Sequence, residues 1–246
     1  MGYSASSSFS DMGEEILRIE NLSKSFSGLK LFDGVNLTLE RRTINSLFGG
    51  NGSGKTTFFN LIGGYEKLDT GDIHFNGLKI KFHDESVIAR AGIGRMWQDP
   101  SIFPNHTALQ NLLVSAKAHP GEYFFSYVFN RKSIRRKESE LTEKARDILQ
   151  KFKLGNKADR PAGSLSLGER KLLSISMLLM NDALLLLLDE PFSGVNPDTI
   201  ERISEALVEL KGKGKTIFMI EHKLKFAQAI SDHQFKIERY KIIRLN

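Results

Sequence analysis

The sequence contains no cysteine, which excludes a disulfide framework, a thiol nucleophile and any zinc site built on thiolates. Long hydrophobic runs are also missing. The longest, residues 183–188, has six residues, far below the roughly 18 that indicate a transmembrane helix. Residues 1–15 are polar and lack the apolar stretch of a signal peptide. These absences predict a soluble chain.

The composition is that of a globular protein with a slightly basic surface. Of the 246 residues, 40% are apolar and 26% are charged, enough apolar material for a substantial core. The formal net charge of +6 permits an anionic partner such as a nucleotide, a nucleic acid or an acidic lipid surface. It does not select among them.

Apolar strand patterns alternate with helical patterns along most of the chain. Because strands that alternate with helices form parallel sheets covered on both faces, the order of elements predicts an α/β fold. The Ser-rich residues 1–14 are predicted to be a flexible arm. The predicted strands are residues 16–19, 35–39, 43–48, 73–75, 183–188, 216–220, 234–237 and 242–245, and the predicted helices are a segment from Lys55 and residues 107–118, 138–153, 168–180, 197–211 and 224–230.

Residues 49–56, with the sequence GGNGSGKT, fit the phosphate-loop pattern G-x-x-x-x-G-K-[ST] between a predicted strand and a predicted helix. Glycines let backbone N–H groups turn toward a phosphate, and the helix N-terminus adds its partial positive charge. Lys55 reaches the β- and γ-phosphates, and the Thr56 hydroxyl is offered to Mg²⁺. The predicted nucleotide-binding residues here are Gly49, Asn51, Gly52, Ser53, Gly54, Lys55, Thr56 and Thr57.

A run of five leucines, residues 184–188, ends in Asp189 and Glu190. Such a run predicts a strand buried on both faces, which delivers two acids to the carboxyl edge of the sheet. Asp189 is predicted to bind Mg²⁺, and Glu190 to orient and polarise the attacking water.

The phosphate loop, Gln98, the segment LSLGE at residues 165–169, the Asp189-Glu190 pair and His222 occur in the order found in ABC-type ATPases. The chain resembles the ATP-binding subunits of ABC transporters. Within that group it is similar to the ATPases of branched-chain amino acid importers, and the segments that carry this likeness are residues 22–29, 58–62, 103–105 and 193–197.

The resemblance implies a P-loop NTPase (RecA-like) core with an N-terminal antiparallel β subdomain and an inserted α-helical subdomain. Residues 15–246 would then form a single ABC ATPase domain. Residues 15–98 and 171–246 would hold the nucleotide-binding core and the β subdomain, and residues 99–170 the helical subdomain.

Ser166 and Glu169 form a predicted capping box that opens the helix 168–180. In the resembled family this helix end meets the γ-phosphate bound to the other protomer, so Ser166 and Gly168 are assigned to nucleotide binding. The segment departs from the common L-S-G-G-Q at Leu167 and Glu169. Because Glu169 adds an anion near phosphate, the departure puts the affinity across the dimer in doubt.

The resemblance also assigns three isolated residues. Gln98 corresponds to the glutamine that touches Mg²⁺ or the attacking water, and His222 to the histidine that contacts the γ-phosphate. Phe26 corresponds to the aromatic that stacks on adenine, although a phenylalanine in a strand-rich segment is also a candidate core residue. Catalytic roles therefore fall to Gln98, Glu190 and His222, and metal binding to Thr56, Gln98 and Asp189.

An aromatic run at residues 123–129 precedes basic residues at 131–137. We interpret it as a transmission element that packs partly on its own helices and lies near a membrane partner. A hydrophobic staple with a solvated helix face is an alternative, and single-stranded nucleic acid binding is another.

The resemblance implies an ATPase whose cofactors are ATP and Mg²⁺. Two ATPase protomers, identical or related, would sandwich two nucleotides and drive a transmembrane permease from the cytoplasmic face of the membrane. A substrate-binding protein is a further implied partner, and no nucleic acid is expected.

Two alternative functions remain open. One is a soluble ABC ATPase that acts mechanically in DNA maintenance or cofactor assembly. The other is a catalytically silent nucleotide-binding module, and the presence of Lys55, Asp189, Glu190 and His222 argues against it.

Overall fold

The computed structural model describes residues 14–80, 85–116 and 131–245. The aromatic run 123–129 and all but residue 14 of the predicted arm lie outside the described residues. The elements, in chain order, are β1 (Glu15–Phe26), β2 (Leu29–Glu40), β3 (Ile44–Phe48), α1 (Lys55–Ile62), β4 (Thr70–Phe75), β5 (Leu78–Lys79), α2 (Glu85–Ala91), β6 (Ile93–Met96), α3 (Ala108–Val114), α4 (Arg131–Lys151), α5 (Leu167–Met180), β7 (Leu185–Asp189), α6 (Pro197–Gly212), β8 (Thr216–Ile220), α7 (Leu224–Ile230), β9 (His233–Glu238) and β10 (Lys241–Arg244).

A six-stranded sheet with the order β10-β9-β3-β8-β7-β6 forms the centre of the fold. Five of its strands are parallel, and β10 pairs antiparallel with β9 at one edge. Strands β3, β7 and β8 are buried along their whole length. The predicted parallel sheet is therefore confirmed, and its five parallel strands deliver the residues that follow them to the same edge.

The leucine strand β7 is covered on both faces, as its sequence predicts. Leu186 and Leu188 pack into an apolar cluster with helices α3, α4, α5 and α6. Leu185 and Leu187 pack into a second cluster with α1 and the N-terminal strands. Alternate side chains of one strand thus join the two halves of the core.

A second sheet, with the order β2-β1-β4-β5, is antiparallel throughout, which confirms the predicted N-terminal β unit. Strands β1 and β2 are much longer than predicted. They meet at a two-residue turn in which both Ser27 (φ 46°) and Gly28 (φ 83°) have positive φ, the geometry of a tight hairpin. The polar residues near this turn hide the hairpin from pattern analysis, and its formation puts Phe26 beside the turn.

The helices outside the sheet differ from prediction mainly in their bounds. Helix α3 ends at Val114 rather than 118, α4 begins at Arg131 rather than 138, and α2 was not predicted. The sequence of α4 is strongly polar, so its first turns lack the apolar spacing that marks a helix. None of the helices among the described residues is long and apolar enough to cross a membrane.

Candidate active site

The phosphate loop connects the buried strand β3 to α1. Gly52 (φ 73°) and Gly54 (φ 97°) adopt left-handed conformations, and a Cβ added to Gly54 would lie 2.9 Å from the Leu31 side chain. Both sterics and backbone conformation therefore favour glycine at this point. The loop leads directly into the N-terminus of α1, where free N–H groups favour an anion.

Lys55 holds its ammonium inside this loop. Its Nζ donates hydrogen bonds to the carbonyl oxygens of Gly49 and Gly50, each at 2.9 Å. Burial lowers the pKa of Lys55, and the nearby carboxylates of Glu190 and Asp189 oppose that shift. The loop thus fixes a cation between its own carbonyls and the acidic edge of the sheet, as a phosphate site requires.

A cavity of about 330 Å³ adjoins the loop. Its walls include Gly52 to Thr57 and the side chains of Phe26 and Leu31. Phe26 is 44% exposed, so it is not a core residue, and its ring lies 4.6 Å from the Nζ of Lys24. The ring borders the same cavity as the phosphate loop, a position compatible with stacking on a base, and that role stays a prediction.

Asp189 lies at the end of β7 and is only 3% exposed. Burial raises the pKa of its carboxyl group, and Arg95 and the Thr56 hydroxyl oppose that shift by charge and hydrogen bonding. A hydroxyl and a carboxylate side by side are oxygen ligands that suit Mg²⁺. Among the described residues there is no cluster of three or more His, Cys, Asp or Glu side chains that could hold a metal. Mg²⁺ commonly takes one or two protein oxygens together with phosphate and water ligands, and Thr56 and Asp189 fit that pattern.

The three predicted catalytic residues converge from three separate segments of the chain. Gln98 follows β6, Glu190 follows β7 and His222 follows β8. The Nε2 of Gln98 lies 3.1 Å from one carboxylate oxygen of Glu190, and the Nε2 of His222 lies 3.2 Å from the other. The amide of Gln98 therefore faces Glu190, and its contact with the metal stays a prediction.

Glu190 has an unusual backbone conformation, with φ at 49°. A side chain missed by sequence analysis, Lys171 of α5, holds it: its Nζ donates to the Glu190 carbonyl oxygen at 2.6 Å. Lys171 is 1% exposed, and burial lowers its pKa while the charges of Glu221 and Glu190 oppose the shift. Strained residues persist only where their surroundings hold them, so Lys171 positions the backbone of Glu190, whose catalytic role is a prediction.

Glu221 is the second residue that sequence analysis missed. It is 2% exposed and accepts hydrogen bonds from the backbone N–H groups of Phe192, at 2.6 Å, and His222, at 3.1 Å. Burial raises its pKa, and these hydrogen bonds oppose the shift. It joins the two loops that carry Glu190 and His222. Sequence analysis missed it because a charged residue is normally expected at the surface. Its position directly before His222 was the one sequence feature that could have indicated its role.

Arg95, in β6, is a third unpredicted residue. Its side chain is 3% exposed and its guanidinium nitrogen lies 3.6 Å from Asp189 Oδ2. The same group donates to Asn60 Oδ1 at 2.6 Å and stacks 3.8 Å from the centre of the Trp97 ring. Arg95 therefore connects Asp189, the predicted metal ligand, to Trp97, the residue before Gln98.

The predicted capping box at α5 is confirmed. The Ser166 hydroxyl accepts from Glu169 N at 3.3 Å, and the Glu169 carboxylate accepts from Ser166 N at 3.1 Å. Gly168 also has a packing role, because an added Cβ would lie 2.2 Å from the Thr199 side chain. Neither Ser166 nor Gly168 is among the described residues that line the cavity beside the phosphate loop.

The chain is similar in sequence to ATP-binding proteins of amino acid transport. It is 38% identical over 229 residues to the probable branched-chain amino acid transport ATP-binding protein LivG of Archaeoglobus fulgidus, covering 93% of this chain and 88% of that one. It is 35% identical over 223 residues to the high-affinity branched-chain amino acid transport ATP-binding protein BraF of Pseudomonas aeruginosa, covering 90% and 88%.

The chain is also similar to solved structures of ATP-binding cassettes. An ATP-binding cassette from an ABC transporter, nucleotide-free, shares 37% identity over 93% of this chain and 90% of its own, with a TM-score of 0.80. A cassette in its ADP conformation shares 38% identity over 93% and 89%, also with a TM-score of 0.80. Residues 32–193 match the ABC transporter family. The chain therefore belongs to that family, as an ATPase that binds and hydrolyses ATP.

Proposed function

We propose that this ATPase is the motor subunit of an importer for branched-chain amino acids, bound peripherally to a transmembrane permease at the cytoplasmic face of the membrane. The observation that carries the motor role is the convergence of Gln98, Glu190 and His222 at the sheet edge that also holds Lys55 and Asp189. The names of the LivG and BraF relatives support the amino acid cargo.

The geometry supports a division of labour within one protomer. The phosphate-loop amides and Lys55 bind the triphosphate, and the exposed ring of Phe26 stacks on the base. Thr56 and Asp189 would hold Mg²⁺, which supplies charge stabilisation on the phosphates when bound. Glu190 accepts the proton of the attacking water, while Gln98 and His222 hold the carboxylate from either side.

The phosphate site is completed by a second protomer in this proposal. Ser166 and Gly168 lie at the N-terminus of α5, outside the cavity of their own phosphate loop. A helix N-terminus with an intact cap is suited to an anion. We therefore assign it to the γ-phosphate bound by a partner ATPase, so that ATP joins the two protomers.

The permease is proposed to dock beside Gln98. A cavity of about 220 Å³ lies where β6 meets α5, and its lining includes Met96, Trp97, Ser115, Met177 and Leu178. An apolar lining with a few hydroxyl groups suits an amphipathic helix. Arg95 also lines this cavity and reaches Asp189, so a docked helix would lie one side chain away from the metal site.

The test uses tagged protein with the substitution Glu190→Gln, which should bind ATP without turning it over. Purification in mild detergent with ATP should recover a stoichiometric multi-span membrane protein, identified by mass. The unsubstituted complex, reconstituted in proteoliposomes, should then hydrolyse ATP faster when leucine, isoleucine or valine is supplied, with lysine as the control amino acid. A soluble homodimer with no membrane partner in several detergents would refute the transporter role, and stimulation by other solutes only would refute the cargo.

A further inference from the structure

The first turn of α5 carries an acid, and that acid is fully engaged by its own protomer. One oxygen of Glu169 accepts from the backbone N–H of Ser166 at 3.1 Å. The other oxygen accepts from the ammonium of Lys157, which closes the 3₁₀ turn Gly155–Lys157 twelve residues earlier. The side chains of Lys157 and Glu169 are 27% and 15% exposed, so the ion pair is partly withdrawn from water.

Glu169 is ionised in this setting. Burial by itself would raise the pKa of its carboxyl group, but the hydrogen bonds from Lys157 and Ser166 outweigh burial and hold the pKa below its ordinary value. A full negative charge therefore lies in the helix turn that we assign to the partner's γ-phosphate. Unless it is compensated, such a charge opposes a phosphate at short range.

The first turn of α5 also contains backbone N–H groups that are available to a ligand. Arg170 N donates to Ser166 O at 2.9 Å and Glu169 N donates to Ser166 Oγ. Within the described part of the chain, the structure gives the N–H groups of Leu167 and Gly168 no acceptor. These are the groups at a helix start that a bound anion satisfies.

We propose that Lys157 is a positioning residue for phosphate binding across the dimer. By pairing with Glu169, it cancels the charge of the carboxylate and holds it turned back against Ser166, away from the Leu167 and Gly168 amides. The acid at this position, which the sequence marks as a departure from L-S-G-G-Q, is thereby made compatible with an anion in trans. The proposal rests on the proposed two-protomer function.

The experiment measures ATP-induced dimerisation of the full chain by analytical ultracentrifugation, with Glu190→Gln present in every protein to prevent turnover. Lys157→Met and the milder Lys157→Gln should raise the ATP concentration for half-maximal dimerisation by about tenfold or more, because like charges brought together at an interface repel each other strongly. Lys157→Arg should retain the parent value. Lys153→Met is the matched control, because Lys153 pairs with the exposed Glu205 on α6 instead.

A double variant distinguishes the effect of an uncompensated charge from that of a folding defect. In the double variant Lys157→Met with Glu169→Gln, the half-maximal concentration should return to within about threefold of the parent, because no uncompensated charge remains. Binding of a fluorescent ATP analogue to the monomer and the thermal midpoint should change little in all these proteins. Loss of ATP-induced dimerisation in the parent itself would remove the two-protomer function on which the proposal stands. Dimerisation of both Lys157 variants at the parent concentration, or failure of Glu169→Gln to restore it, would refute the role of Lys157 alone.

Discussion

The two sides of the candidate active site are constructed differently. The phosphate loop is one continuous segment, residues 49–56, and its geometry comes from glycines in left-handed conformations and from the start of α1. Gln98, Glu190 and His222 instead meet from the ends of three strands. The loop is supported by its own backbone, whereas the three residues predicted to be catalytic are supported by buried charges.

That difference predicts where distant substitutions act. Lys171 and Glu221 both lie outside the phosphate loop. Lys171 forms a hydrogen bond with the backbone of Glu190, and Glu221 forms one with the backbone of His222. Damage to these supports should reduce turnover and leave nucleotide binding nearly intact. The following substitutions test this separation of binding from hydrolysis.

The largest effect on turnover is expected for Glu190→Gln, because it removes the proton acceptor and keeps the shape of the side chain. Steady-state phosphate release should fall by about 100- to 10,000-fold, the usual contribution of a general base. The affinity for ATP, measured by calorimetry, should stay within a few-fold of the parent. Turnover within tenfold of the parent would contradict the role of Glu190.

Lys55→Ala should affect the phosphate loop and therefore the binding of ATP. Removal of the ammonium takes away charged hydrogen bonds to phosphate worth about 1.5–3 kcal/mol, so the affinity for ATP should fall by about 10- to 100-fold. The measurement is calorimetric titration with ATP. Lys79→Ala is the control, since Lys79 pairs with Asp72 on the second sheet. An unchanged affinity would remove Lys55 from the phosphate site.

Glu221→Gln tests the buried support without touching a reacting group. One acceptor oxygen becomes a donor and faces a backbone N–H, and the buried ammonium of Lys171 loses the opposing charge of Glu221. We expect kcat to fall by about tenfold with little change in ATP affinity, and stability to fall by about 1–3 kcal/mol, the penalty for an unsatisfied buried group. Equal losses in kcat and in ATP affinity would show that the two sides are not separable.

Phe26→Leu should give the smallest change. Stacking of a base on an aromatic ring is worth about 1–3 kcal/mol, and because leucine keeps part of the apolar contact, ATP binding should weaken by only about fivefold and kcat should be unaltered. Because Phe26 is exposed, the thermal midpoint should not move. A comparison of ATP with inorganic triphosphate provides the control, as only ATP carries a base.

Much of the local structure was predictable because its causes are local. Unbroken apolar runs predicted β7 and β8, and the Ser166-Glu169 spacing predicted the cap of α5. The prediction failed where apolar spacing is weak, as in the first turns of α4 and the polar end of the β1–β2 hairpin. In those segments the neighbouring elements, and not the segment's own pattern, stabilise the conformation.

The sequence by itself determined the phosphate loop, the buried leucine strand and the acids at its end, because glycine conformations, helix starts and strand periodicity act over a few residues. Only the tertiary structure decided that Lys171, Glu221 and Arg95 are buried, that Gln98 and His222 flank Glu190, and that Lys157 pairs with Glu169. The contacts around Glu190 depend on the strand order β3-β8-β7-β6, which brings together segments distant in the chain, whereas the Lys157–Glu169 pair depends on how the 3₁₀ turn before α5 folds back onto its first turn. The burial of a charge depends on what packs around it, and no spacing rule along the chain contains that information.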